Sequence, residues 1–155
     1  MSQVTLGKNF GTSEQKTGGT MRIIMVVLTL MLAGRAMTLA FIGEAGSAVQ
    51  GAAPSAWLMP LIGDAVIGVS ALWIAYLIMR KTGLWVWTTI IVWNALAIWD
   101  ALSAFIIHTT NPWPEFFMIQ TFGISMFFMA SAMHLIILIL AWQPKMKDHF
   151  LLPSG

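Results

Sequence analysis

Arg35, Asp64 and Asp100 are ionisable side chains set inside three different long apolar runs, and Asn94 and His134 are strongly polar groups in runs of the same kind. A charged side chain at the centre of a bilayer costs about 2.5–3.5 kcal/mol on insertion scales, so such residues face a bundle interior, a partner or a watery cavity. Two carboxylates around one guanidinium leave one negative charge over. Residues of these types can form a buried salt bridge that fixes helix register, share a proton or a cation between neighbouring acids, or present an acid to a substrate in a dry pocket. Asp64, Asp100, Arg35 and Asn94 are therefore the candidate binding or proton layer, with Glu44, Glu115, Gln120 and His134 as secondary candidates.

The runs that carry these residues dictate the class of protein. The chain has 155 residues, of which 58% are hydrophobic and only 9% charged, against about 25% charged in soluble domains. Four apolar stretches, 22–43, 56–79, 84–107 and 116–142, are each long enough to cross a hydrocarbon core, which takes about 20 helical residues. The expected architecture is an all-α, antiparallel four-helix transmembrane bundle occupying residues 21–143. It is flanked by a mobile polar tail at 1–20 and a C-terminal tail at 144–155. A cleaved signal peptide is the competing reading of the first stretch, but the run is longer than the usual 7–15 residues and contains Arg35. The absence of cysteine excludes disulfides, thiolate catalysis and iron–sulfur ligation. The net charge of +2 comes from short flanks and forms no nucleic-acid footprint.

Charge placement orients the bundle. Lys8, Lys16, Arg22, Arg80, Lys81, Lys145 and Lys147 all fall at one end, while the loops after the first and third runs hold no Lys or Arg. Positive charge stays cytoplasmic, which predicts both termini inside a plasma membrane of the bacterial inner type. At a rise of about 1.5 Å per residue, Asp64 and Asp100 lie roughly 10–12 Å below the outer surface, with Arg35 at the same height. Asn94 falls deeper and His134 in the inner half. The short turn at 80–83 forces the second and third helices into an antiparallel hairpin, which brings the two acids level.

Small residues mark the packing faces, since close helix contacts in lipid favour Gly, Ala and Ser at spacings of three and four. Asp64, Gly68, Ala71 and Ala75 form one such stripe. Asn94, Ala97, Ala101 and Ala104 form another, and Gln120, Gly123, Phe127, Ser131 and His134 a third. Arg35 departs from this pattern, projecting about 100° from the stripe of its own helix. It therefore either reaches around to the acids, extends toward the outer surface or serves a partner subunit.

The remaining motifs read as structure first. His134 is expected to bond Ser131 or a neighbouring helix. Met126, Met129 and Met133 share a face and suit flexible gap-filling better than copper. Trp57, Trp85, Trp87, Trp113 and Trp142 fall near span ends and are expected as interfacial anchors. Glu115 precedes the last helix in a Pro-rich turn, where it would favour the helix start or join Glu44 in an acidic rim. No lysine lies within a span, which excludes a retinal Schiff base. No metal and no cofactor is expected.

The stretches PLIGDAVIGVSALWIA and VWNALAIWDALSA, a Pro-rich loop, and a last helix ending in HLIILIL resemble a group of small bacterial four-span membrane proteins without an assigned activity. The resemblance rests on Gly63, Asp64, Trp93, Asn94, Asp100 and His134 and implies the fold alone. The order WDALSA then PWPEFF is also similar to membrane carotenoid (lycopene) cyclase domains, in which an Asp-bearing helix leads to a Pro-x-Glu-Glu-x-x-Phe-Phe motif. Here Glu115 stands alone where that family has two acids, Phe116 replaces the second, and there is one module.

Three functions are carried forward. The first is a membrane subunit or binding module, more a binder than an enzyme, whose Arg/Asp/Asp layer sets packing and partner choice. It is expected to form a homo-oligomer or join a membrane complex, with a small apolar or cationic ligand in addition to the lipid bilayer. The second is a small proton- or cation-coupled carrier using Asp64 and Asp100. The third is a lipid-pocket enzyme, cyclase-like, using a membrane-embedded acid.

Overall fold

A computed structural model describes residues 8–151, with the backbone alone for residues 8–17. Helix α1 (Lys8–Leu32) runs into a 3₁₀ segment (Ala33–Thr38) and then α2 (Leu39–Ser47). A short α3 (Ala53–Ala56) leads to α4 (Leu58–Arg80), α5 (Leu84–Thr110), α6 (Phe117–Phe122), α7 (Ser125–Trp142) and α8 (Pro144–Leu151). Four continuous helical stretches, Gly18–Ser47, Leu58–Arg80, Leu84–Thr110 and Ser125–Trp142, are long and apolar enough to cross a membrane. Helices prevail because lipid offers no partner for a backbone N–H or C=O, so each span must satisfy its own. Packing of α1 on α4, α4 on α5, α5 on α7 and α7 on α1 closes an antiparallel four-helix bundle.

Two apolar cores are stacked along the bundle axis. At the basic end, Met25, Ile74, Ile78, Ile90 and Ile137 enclose Met146 and Phe150 of α8. At the other end Trp57, Leu61, Trp113, Phe116 and Phe127 pack together. The candidate polar layer lies between them.

Four elements differ from the sequence reading, each for a physical reason. The fourth span is not one helix over 116–142: Gly123 takes φ +56° and separates α6 from α7, so the membrane-crossing part begins at Ser125. The stripe from Gln120 to His134 is broken there, and Gln120 is exposed. Of the expected tail at 1–20, residues 1–7 lie outside the described residues, while from Lys8 the backbone already continues α1. Each residue added to an existing helix gains a hydrogen bond without a new nucleation cost. The C-terminal segment, expected as a tail, forms α8 as far as Leu151. Met146 and Phe150 are fully buried, and the Gly83 amide donates to the Phe150 carbonyl at 2.7 Å. Trp57 and Trp113, expected at the headgroups, are instead core residues 1% and 2% exposed, and the Trp57 indole donates to the Asn111 carbonyl at 2.9 Å. Among the described residues Trp73, Trp85, Trp99 and Trp142 are the outward-facing indoles.

Two glycines set how closely the helices approach. A Cβ on Gly68 would overlap the backbone of Arg35 and Ala36, so α4 lies directly against the 3₁₀ segment. A Cβ on Gly63 would overlap the carboxylate of Asp100. Both positions thus determine where the charged groups sit.

Candidate functional site

The 3₁₀ segment explains how Arg35 turns inward. Winding at 3.0 rather than 3.6 residues per turn rotates the side chains after Leu32 relative to a continued α-helix, and such a mid-helix stretch marks strain or a hinge. The tighter turn is held by the Thr38 hydroxyl, which reaches the Arg35 carbonyl at 2.8 Å and the Leu61 carbonyl of α4 at 3.1 Å. Thr38 is fixed by the fold and is 4% exposed.

The Arg35 guanidinium binds all three other spans. Its Nε donates to Asp64 Oδ1 at 2.5 Å, and its Nη2 is ion-paired with the same oxygen. Nη2 also meets Asp100 Oδ2 at 2.6 Å. On the far edge, Nη1 reaches the Ala97 carbonyl at 3.4 Å and His134 Nε2 at 3.1 Å. A guanidinium can only donate, so His134 Nε2 accepts and the ring proton sits on Nδ1. That proton is directed at Asn94 Oδ1, 2.8 Å away, while Asn94 Nδ2 donates to the Ile90 carbonyl at 2.7 Å. The Trp93 ring lies edge-on to His134 at 5.1 Å, and its indole nitrogen donates to the Ser70 hydroxyl of α4 at 2.8 Å.

The layer is therefore a chain of hydrogen bonds from Asp64 and Asp100 through Arg35 and His134 to Asn94. The sequence places Arg35, Asp64 and Asp100 at one height, and the structure joins them. His134, expected in the inner half and too far down to touch Asp64, meets Arg35 instead, and the guanidinium links it to both acids. Its partner on the neighbouring helix is Asn94, not Ser131. Glu44, Glu115 and Gln120 are all exposed, and none joins the layer. Thr38, Gly63, Gly68 and the Ala97 carbonyl complete the site. Only a threonine three residues after Arg35 and a glycine beside each packing contact could have signalled them.

A cavity of about 370 Å³ opens beside the layer, between the first span and α6–α7. Arg35, Asp64 and Thr38 form its polar wall, and the remainder is Phe, Met, Leu, Gly and Ala. Met126, Met129 and Met133, which the sequence places on one face, all line it, as do Phe116 and Phe127. The volume falls within the range of about 300–1,000 Å³ found for small-molecule sites. Methionine, unbranched and polarisable, lets such a wall adapt to its occupant. Among the described residues, no group of three His, Asp or Glu side chains is arranged to hold a metal ion.

Fold and site together define a multi-pass α-helical membrane protein with a charged layer enclosed between two apolar cores. No family model, no curated protein and no solved structure matches the chain.

Proposed function

We propose that the chain is an integral membrane binding module that takes a lipophilic ligand with one polar end into the cavity between its first and fourth spans. The observation that carries this reading is that a ligand-sized, otherwise apolar cavity opens onto the side of the ionic layer. Two carboxylates against one guanidinium leave a formal surplus of one negative charge, and Asp64 lies on the cavity wall. The ligand end that fits is cationic or hydrogen-bond-donating, and its apolar body lies among Met126, Met129, Met133 and Phe127. In this reading the basic end of the bundle faces the cytoplasm and the cavity lies in the outer half of the membrane.

The same surplus charge favours a second reading, a proton- or cation-coupled carrier, in which Asp64 exchanges its counterion through the cavity. Association with itself or with another membrane subunit would supply the rest of a pathway.

The test is lipid extraction and mass spectrometry of the chain purified in mild detergent. Wild type should return a near-stoichiometric lipophilic compound, and Ala130→Trp, which fills the cavity from α7, should lose it while remaining folded. Equal recovery of every extracted compound from both proteins would overturn the binding reading. A proteoliposome flux that needs Asp64 would transfer the conclusion to the carrier. Chemical conversion of the bound compound by wild type and not by Asp64→Asn would transfer it to a lipid-pocket enzyme.

A further inference from the structure

A second cavity, of about 410 Å³, lies at the basic end between α1 and α4, lined by Arg22, Ile23, Val26, Val27, Met79 and Arg80. It is remote from the charged layer. Arg22 precedes Arg35 by 13 residues and Arg80 follows Asp64 by 16, which places it roughly 20–24 Å along the bundle axis at a helical rise. Its composition is divided: two guanidinium groups at the rim, and four aliphatic or thioether side chains running into the membrane.

Neither arginine has a counter-charge among the described residues. Among the described residues every ion pair belongs to Arg35, so neither Arg22 nor Arg80 is matched by an acid. Arg22 is half-buried and Arg80 exposed. The positive field of Arg22 is felt nearby, because His149 of α8 is held below its usual imidazole range first by burial and then by Arg22. Like charges on adjacent helices repel, and an anion between them removes that cost. An arginine fork suits a phosphate, to which it donates two parallel hydrogen bonds. Basic pockets between transmembrane helices on the cytoplasmic side are where anionic headgroups bind.

We propose that the groove between α1 and α4 is a binding site for an anionic phospholipid, with its phosphate between Arg22 and Arg80 and an acyl chain along Ile23, Val26, Val27 and Met79. The free phosphate ion, which shares the headgroup chemistry, cannot use the apolar part of the groove.

The experiment is native mass spectrometry of the full chain in detergent, titrated with dioleoylphosphatidylglycerol or dioleoylphosphatidylcholine. Wild type should prefer the glycerol lipid. A basic residue near the surface is worth about fivefold, so R22Q/R80Q should weaken phosphatidylglycerol binding by roughly thirtyfold and leave phosphatidylcholine unchanged. K145Q/K147Q, which changes the same end of the bundle without touching the groove, should retain the preference. Val27→Trp fills the groove from a lipid-facing position and keeps both arginines, so it reads the site even if the double variant folds poorly; it should also lose the preference. Excess inorganic phosphate should leave the lipid bound. Equal affinity for both lipids, an equal loss in K145Q/K147Q, or displacement by inorganic phosphate would overturn the proposal.

Discussion

Replacing Arg35 by glutamine tests the role of the layer most directly. The substitution removes a side chain that bonds Asp64 through Nε and Nη2, Asp100 through Nη2, and Ala97 and His134 through Nη1. The partners are largely enclosed: the Arg35 side chain is 10% exposed, Asp64 16% and Asp100 17%. Removing one member of a buried ion pair leaves an uncompensated charge and costs about 3–5 kcal/mol, whereas replacing the whole set with neutral groups of similar shape is often close to neutral. Arg35→Gln should therefore destabilise the bundle by about 3–5 kcal/mol. The triple variant R35Q/D64N/D100N should recover most of that loss, leaving it within about 2 kcal/mol of wild type. The assay is equilibrium unfolding in mixed micelles followed by the fluorescence of the eight tryptophans. An Arg35→Gln protein as stable as wild type, or a triple variant no better than the single, would refute the reasoning that the charges are mutually dependent.

Other outcomes follow from individual contacts. Gly63→Ala should displace the Asp100 carboxylate and Gly68→Ala should force α4 off the 3₁₀ segment, each costing about 1–3 kcal/mol, with Gly68→Ala the larger because backbone cannot rotate away. Gly34→Ala, whose added Cβ meets nothing within 4 Å, should be tolerated; thermal unfolding of the three variants checks the order. Thr38→Val keeps the shape but leaves the Leu61 carbonyl without the hydroxyl, and should lower stability by about 1–3 kcal/mol in the same unfolding assay. His149 is held below its ordinary value, 6.5, by burial and by Arg22. The folded state then binds fewer protons than the unfolded one, so the docking of α8 should be fully present above about pH 6.5 and weaken as the pH falls through the lower folded value. Hydrogen exchange of the α8 amides at several pH values should show this loss in wild type and not in His149→Gln.

Much of the fold could be read from the chain because lipid simplifies the problem. A run of about 20 apolar residues has one stable solution, and the short turn at 80–83 leaves α4 and α5 antiparallel. The common height of Arg35, Asp64 and Asp100 follows from the same counting. The rotation of Arg35 is not legible in the sequence, because nothing in the apolar pattern marks the 3₁₀ winding from Ala33 to Thr38. The break at Gly123 was hidden by apolar residues on both sides of it, since hydropathy does not record a positive φ. The burial of Trp57 and Trp113 is hidden in the sequence for a related reason. Tryptophan near a span end suits the headgroup region and a terminal core equally well, and only packing against Phe116 and Phe127 decides between them. The cavity depends on the offset of α6 from α7, and spacing within one helix carries no trace of it.

The guanidinium of Arg35 reaches every other span, and this has a consequence for biosynthesis. Arg35 leaves the ribosome well before any of its partners, and a lone cation in the membrane core is worth about 2.5–3.5 kcal/mol of insertion penalty. Its first counter-charge arrives with Asp64 and its second with Asp100, while the imidazole contact waits for the final helix. The nascent first helix is thus poorly anchored at depth until the hairpin after it is made. Insertion of this chain should proceed as a coupled event, with a newly made fragment ending before α4 slipping or being cleared by quality-control proteases.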